Sequence, residues 1–161
     1  MTFFSHSVAG LAVGELVSKT INHSSNHFLI LGISLLFSLL PDANILWQNF
    51  KNHHKDFTHY PLFWLIFVLV LMVIEKIFFY NTIISLLIFL NLVMHFFLDS
   101  FGFRNGVCLL YPFSKKEYSL TKIQLYQKLS RKELFDLYIH NGNLFLEAYV
   151  VVFGGVMLLA F

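Results

Sequence analysis

The sequence predicts an all-α fold: a polytopic membrane helix bundle of about four spanning helices, a short N-terminal helix and surface amphipathic helices. Three observations carry this. The 161 residues are 57% hydrophobic and only 12% charged, whereas a soluble domain carries about 25% charged residues. Mean hydropathy is +0.69. Apolar runs recur at lengths near the roughly 20 residues that cross a bilayer. The length suits one integral membrane domain over 1–161, with 100–143 as a loop on one side. The 20 phenylalanines suit lipid-facing helices.

Composition also excludes function classes. A net charge of +2 is too small for nucleic-acid binding. The single cysteine, Cys108, has no partner for an internal disulfide and reads as a small apolar residue. The opening Met1-Thr-Phe-Phe-Ser-His lacks the positive region of a cleavable signal peptide, so it is expected to persist.

The elements follow in order. Val8 to Val17 is a modest apolar helix, too short to span, whose Ala9, Gly10, Ala12 and Gly14 permit close helix approach. Phe28 to Trp47 is the first span, kinked or ended by Pro41, with Trp47 suited to the membrane interface. Gln48 to Tyr60 is a polar loop. Pro61 opens the second span at a favourable first-turn position and Tyr80 closes it. Ile83 to Leu98 is the third span. Phe101 to Asn143 is the long polar region. Within it Ser119–Lys128 and Ser130–His140 read as amphipathic helices on the membrane surface, the second with a Ser130/Glu133 capping box. Leu144 to Phe161 is the last span.

This topology gathers polar groups at one end. The first span runs towards the Gln48–Tyr60 loop, the second away, and the third returns. His6, Asp42, His54, His59, His95 and Asp99 can then meet there. Lys51, Lys55, Arg104, Lys115, Lys116, Lys122, Lys128, Arg131 and Lys132 share that side, and only Lys19 and Lys76 lie opposite. The positive-inside rule assigns the crowded side to the cytoplasm.

His95 and Asp99 are four residues apart and share a helix face at the end of an apolar segment. Ionisable groups in that setting mark a polar site. With His54 and His59 they make a His/Asp set without thiolates, which suits a divalent cation, zinc first and manganese or iron next. Plainer readings stand beside this one. Asp42 after Pro41 also reads as a turn cap, and His95 with Asp99 as a hydrogen-bonded pair between helices. Lys55 and Arg104 also read as inside-positive anchors. His23, His27, His53 and His140 read as solvated loop or interface residues.

Five blocks taken in order resemble a known family. They are Ser5-His6-Ser7-Val8-Ala9-Gly10, Leu39-Leu40-Pro41-Asp42, His54-Lys55-Asp56-Phe57-Thr58-His59, His95-Phe96-Phe97-Leu98-Asp99 and Gly106-Val107-Cys108-Leu109-Leu110-Tyr111-Pro112-Phe113-Ser114. The chain from His6 to about Ser114 is similar to the YdjM-like family of small bacterial inner-membrane proteins. The resemblance implies a metal-dependent hydrolase with His6, Asp42, His54, His59, His95 and Asp99 as metal ligands. Two positions depart from the family pattern. Asn44 stands where a second aspartate is common, and Lys55 where arginine is common, losing the guanidinium fork.

The expectation is a hydrolase acting on a phosphate ester or lipid-type substrate at the cytoplasmic face of the inner membrane. Asp42 or Asp99 would serve as base or histidine-orienting group, and Lys55 and Arg104 would hold an anionic substrate. The alternative is a non-catalytic membrane protein, either a metal-ion transporter or a partner-binding scaffold. Transport asks for polar residues continuing through the spans, and the sequence offers few beyond Glu75, Lys76 and scattered Asn and Ser.

Overall fold

The computed structural model describes residues 2–21, 26–47, 56–101, 106–120, 136, 139 and 143–160, and for Ile45 and Asn143 the backbone only. The elements named among them are all helical. They are α1 (Phe3–Thr20), α2 (His27–Leu39), α3 (Pro61–Phe79), α4 (Ile83–Ser100) and α5 (Asn143–Ala160). Two 3-10 segments, Leu40–Leu46 and Phe57–His59, stand before α3. His27–Asn44, Pro61–Phe79 and Ile83–Ser100 are long and apolar enough to cross a membrane, and Leu144–Ala160 is a slightly shorter apolar helix. The amphipathic helices expected over Ser119–Lys128 and Ser130–His140 fall almost wholly outside the described residues.

α1 corrects the reading of a short helix over Val8–Val17: it runs 18 residues, Phe3–Thr20. At 1.5 Å per residue that is roughly 27 Å, the length of its neighbours. Hydropathy hid the ends because they are polar, yet their polar groups are satisfied. Thr2 caps the first turn through Ser5 N–H, Ser7 Oγ donates to Phe3 O, and Thr20 Oγ1 donates to Leu16 O. Glu15 is buried and pairs with Lys19 and His27, 3.6 Å each.

Pro41 acts as its chemistry predicts. The α-helix ends at Leu39 and the chain tightens into the Leu40–Leu46 segment. Pro61 opens α3, and α3 stops at Tyr80, whose φ of 56° is left-handed. Across that turn Glu75 Oε2 accepts the Ser85 N–H, 3.0 Å, and so caps α4.

α3 and α4 pack as a hairpin around Trp64, Val68, Ile88, Leu92 and Phe96, with Val107 closing the site end of this core. Trp64 Nε1 donates to Thr58 O, 2.7 Å, and so ties the Phe57–His59 segment to α3. α5 lies beside α1, its start held by Glu147, which accepts from Thr2 N–H (2.7 Å) and Thr2 Oγ1 (3.1 Å). Most of the large side chains on α3 and α5 face outward, as lipid-facing helices require.

Candidate metal centre

Three helices build the site by a common four-residue step, because residues four apart lie one above another on one helix face. α1 contributes His6, Gly10 and Gly14. α2 and its 3-10 extension contribute Asp42, Ser38 and Ser34, and α4 contributes Asp99, His95 and Asn91. They stack in three layers. In the first, His6 Nε2 lies 3.1 Å from Asp99 Oδ1 and 3.9 Å from Asp42 Oδ2. In the second, His95 Nδ1 donates to Ser38 O, 2.8 Å, and a methyl on Gly10 would stand 2.4 Å from Ser38 Cβ. In the third, Asn91 Nδ2 donates to Ser34 Oγ, 3.2 Å, and a methyl on Gly14 would stand 2.6 Å from Ser34 Oγ. The glycines let α1 approach until His6 reaches the aspartates.

The fourth wall is the Phe57–His59 segment. Asp56 opens it by accepting the Phe57 N–H. His59 Nε2 lies 3.2 Å from Asp42 Oδ1 and 3.6 Å from Asp99 Oδ2. Its Nδ1 faces Asn44 Nδ2 at 3.4 Å. Asn44 is fully buried; with its amide turned over, the oxygen would accept the Nδ1 proton and leave Nε2 for a cation.

His95 decides what the cluster can hold. Its Nδ1 proton goes to a carbonyl, so in the neutral ring Nε2 carries a bare lone pair. That nitrogen lies 3.1 Å from Asp99 Oδ2 and 3.7 Å from Asp42 Oδ1, yet it makes no hydrogen bond among the described residues. A bare lone pair facing two carboxylates in a buried place is repulsive until a proton or a metal cation stands between them, and the carboxylates on both sides give a metal cation its further ligands. The ligand atoms of Asp42, His59, His95 and Asp99 lie within 4.8 Å of one another, and all four residues are buried. They fit a divalent cation: two imidazoles and two carboxylates, with a carbonyl fixing one ring from behind.

The two outlying imidazoles differ electrostatically. For His6, burial above all outweighs Asp99 and Asp42 and holds its pKa below the ordinary value. For His59, burial also opposes charge, but hydrogen bonds to Asp42 and Asp99 prevail and raise the pKa.

The structure thus brings together His6, Asp42, His59, His95 and Asp99 from the sequence-predicted set. His54, Lys55 and Arg104 lie outside the described residues. Sequence reading missed the Ser38 carbonyl, Asn91 and Ser34, while it marked Gly10 and Gly14 only as small residues for close helix approach. The four-residue spacing His6-Gly10-Gly14, Ser34-Ser38-Asp42 and Asn91-His95-Asp99 is the signal that marks them. Pro41 explains the carbonyl: in a 3-10 register Ser38 O would pair with the N–H of residue 41, which proline lacks.

No curated protein and no solved structure matches the chain significantly. A family model described as YdjM inner membrane protein matches residues 1–160. The helical architecture, its membrane-spanning lengths and nearly the whole of the sequence agree, and the chain belongs to the YdjM inner membrane protein family.

Proposed function

We propose that this protein is a membrane-embedded, metal-dependent hydrolase that acts on a phosphate ester or lipid-type substrate at the cytoplasmic face of the inner membrane. The observation that carries this reading is the buried His95 Nε2, turned on Asp42 and Asp99 with no hydrogen bond among the described residues. A divalent cation held by Asp42, His59, His95 and Asp99, zinc in the first instance, would polarise a substrate oxygen and bring a bound water to a pKa of roughly 7.

The chain's own groups supply the rest. The Ser38 carbonyl keeps the His95 ring in the ligating tautomer. Asp42 or Asp99 would act as base towards the attacking water or as the group that orients a histidine. His6, donating to Asp99 Oδ1 at 3.1 Å, orients that carboxylate. Lys55 and Arg104 are assigned to an anionic substrate. The amphiphilic substrate class is supported by depth: Asp42, His95 and Asp99 sit near the ends of helices long and apolar enough to cross the membrane, and His59 lies just before another.

A metal-ion transporter is the competing reading, and the Ser34/Asn91 layer beneath the cluster favours it. One turn further the same seam is filled by Leu87 (1% exposed) and Ile30 (6%), which offer no ligand to a moving ion. A scaffold needs no such cluster and would keep its function when Asp42 and Asp99 are both replaced by Ala.

The test is elemental analysis of the protein purified in detergent, paired with release of phosphate or headgroup from inner-membrane lipid extracts. Bound metal that is lost with His95→Ala, and lipid turnover that is lost with it, is the expected result. Absence of metal from the purified chain would sink the proposal.

A further inference from the structure

The two aspartates present all four of their oxygens to histidine nitrogens, and they divide them in two sets. Asp42 Oδ1 and Asp99 Oδ2 face His59 Nε2 and His95 Nε2 at 3.1 to 3.7 Å. The other two oxygens, Asp42 Oδ2 and Asp99 Oδ1, face His6 Nε2 at 3.9 and 3.1 Å. Among the described residues no oxygen serves both sets within 4 Å.

The imidazoles repeat this division. His6 and His95 stack with centroids 4.2 Å apart and planes 25° from parallel. Each turns its Nε2 to a different oxygen of Asp99, at 3.1 Å in both cases. Two near-parallel rings set on the two oxygens of one carboxylate are arranged as ligands of neighbouring cations. In two-metal sites the ions lie about 3.5–4 Å apart, close to the ring spacing.

We infer that the site holds two divalent cations, bridged by Asp42 and Asp99. One is held by His59 and His95, the other by His6 with Asp42 Oδ2 and Asp99 Oδ1. This assigns His6 as a metal ligand in its own right, where a single-cation site leaves it only an orienting hydrogen bond.

Charge gives the inference a chemical consequence, which rests on the hydrolase reading above. Two carboxylates and neutral imidazoles carry −2, so one divalent cation makes the site neutral, with no net electrostatic pull on an anion. A second cation makes it +2, which attracts a phosphate group in a low-dielectric place. Two-metal sites clamp the attacking and leaving oxygens of phosphate esters in this way, so the inference narrows the substrate to the phosphate-ester class.

The experiment uses the full chain in detergent and Mn²⁺ alone as probe. Metal content per chain is measured by elemental analysis, and low-temperature electron paramagnetic resonance reads the coupling between ions. Two Mn²⁺ per chain with an exchange-coupled spectrum are expected. His6→Ala should retain one ion and show the six-line spectrum of isolated Mn²⁺. His6→Gln, which keeps a hydrogen-bond donor towards Asp99 but is a poor ligand, should behave as His6→Ala does if it ligates. One uncoupled Mn²⁺ in the parent chain, or two ions retained in both His6 variants, overturns the inference. Should His6→Ala fail to fold by circular dichroism, the parent stoichiometry and spectrum and the His6→Gln variant still decide. Two coupled ions without phosphate-ester turnover would uphold the two-cation site and remove the hydrolase reading. One ion with turnover would do the reverse.

Discussion

His95 draws on three parts of the chain at once. Its own helix sets it one turn from Asp99, α2 supplies the carbonyl behind it, and the 3-10 extension brings Asp42 in front. Removing the imidazole leaves two carboxylates facing each other with a ligand missing. His95→Ala is therefore expected to lower metal affinity by at least the roughly 10- to 100-fold that loss of a supporting shell residue costs, read by competition with a chelating dye. His59 gives a pH signature. In the metal-free chain its raised pKa means that its contribution to stability is full below the ordinary imidazole value of about 6.5 and is lost as pH rises through the folded value. The stability difference between the parent and His59→Gln should then be larger at pH 6 than at pH 9, by thermal melting in detergent. With metal bound the sign reverses, because a ligating ring must be unprotonated. A difference independent of pH in the metal-free chain would contradict the assignment.

At the scale of the element, two glycines on one face of α1 govern how near His6 comes to the aspartates. A methyl at Gly10 would stand 2.4 Å from Ser38 Cβ, and one at Gly32 would meet nothing within 4 Å. Gly10→Ala is thus expected to cost about 1–3 kcal/mol through overpacking and to weaken metal binding by moving α1 outward. Gly32→Ala should be neutral, or stabilising by up to about 1 kcal/mol through helix propensity. Paired thermal melts and Mn²⁺ titrations check both, and equal behaviour of the two variants would refute the close-approach argument. The resemblance of the Leu39-Leu40-Pro41-Asp42 block to a family pattern also gains a physical reason here. Proline both ends α2 and spares the Ser38 carbonyl for His95.

Over the whole molecule, α2 and α4 run in the same direction and α1 runs against α2, so the site residues gather at one end of the bundle. The proposed cytoplasmic placement of that end follows from the positive-inside bias and is open to direct test. In a variant whose native Cys108 is replaced by Ser, a cysteine at Lys116 should react with a membrane-impermeant maleimide in inverted vesicles and not in intact spheroplasts. A cysteine at Asn81, in the turn between α3 and α4, should do the opposite. Reversed labelling would place the cluster at the outer face and remove the cytoplasmic assignment, while leaving the metal site intact.

The sequence by itself determined the fold class, the boundaries of the apolar helices to within a few residues, and most of the ionisable residues that converge. Apolar runs, Pro41 and Pro61 are local signals, and hydropathy reports them directly. Alternation of spans then dictates which polar groups share an end. The tertiary structure alone decided the length of α1, because its polar ends are legible as helix only once Glu147 and His27 are seen to pair with it. It alone decided that the Ser38 carbonyl orients His95 and that Asn44 faces His59, since both contacts join segments that no local pattern links. It alone separated the four aspartate oxygens into two sets. A sequence names a carboxylate, whereas the direction of each oxygen is set by the packing of three helices around it.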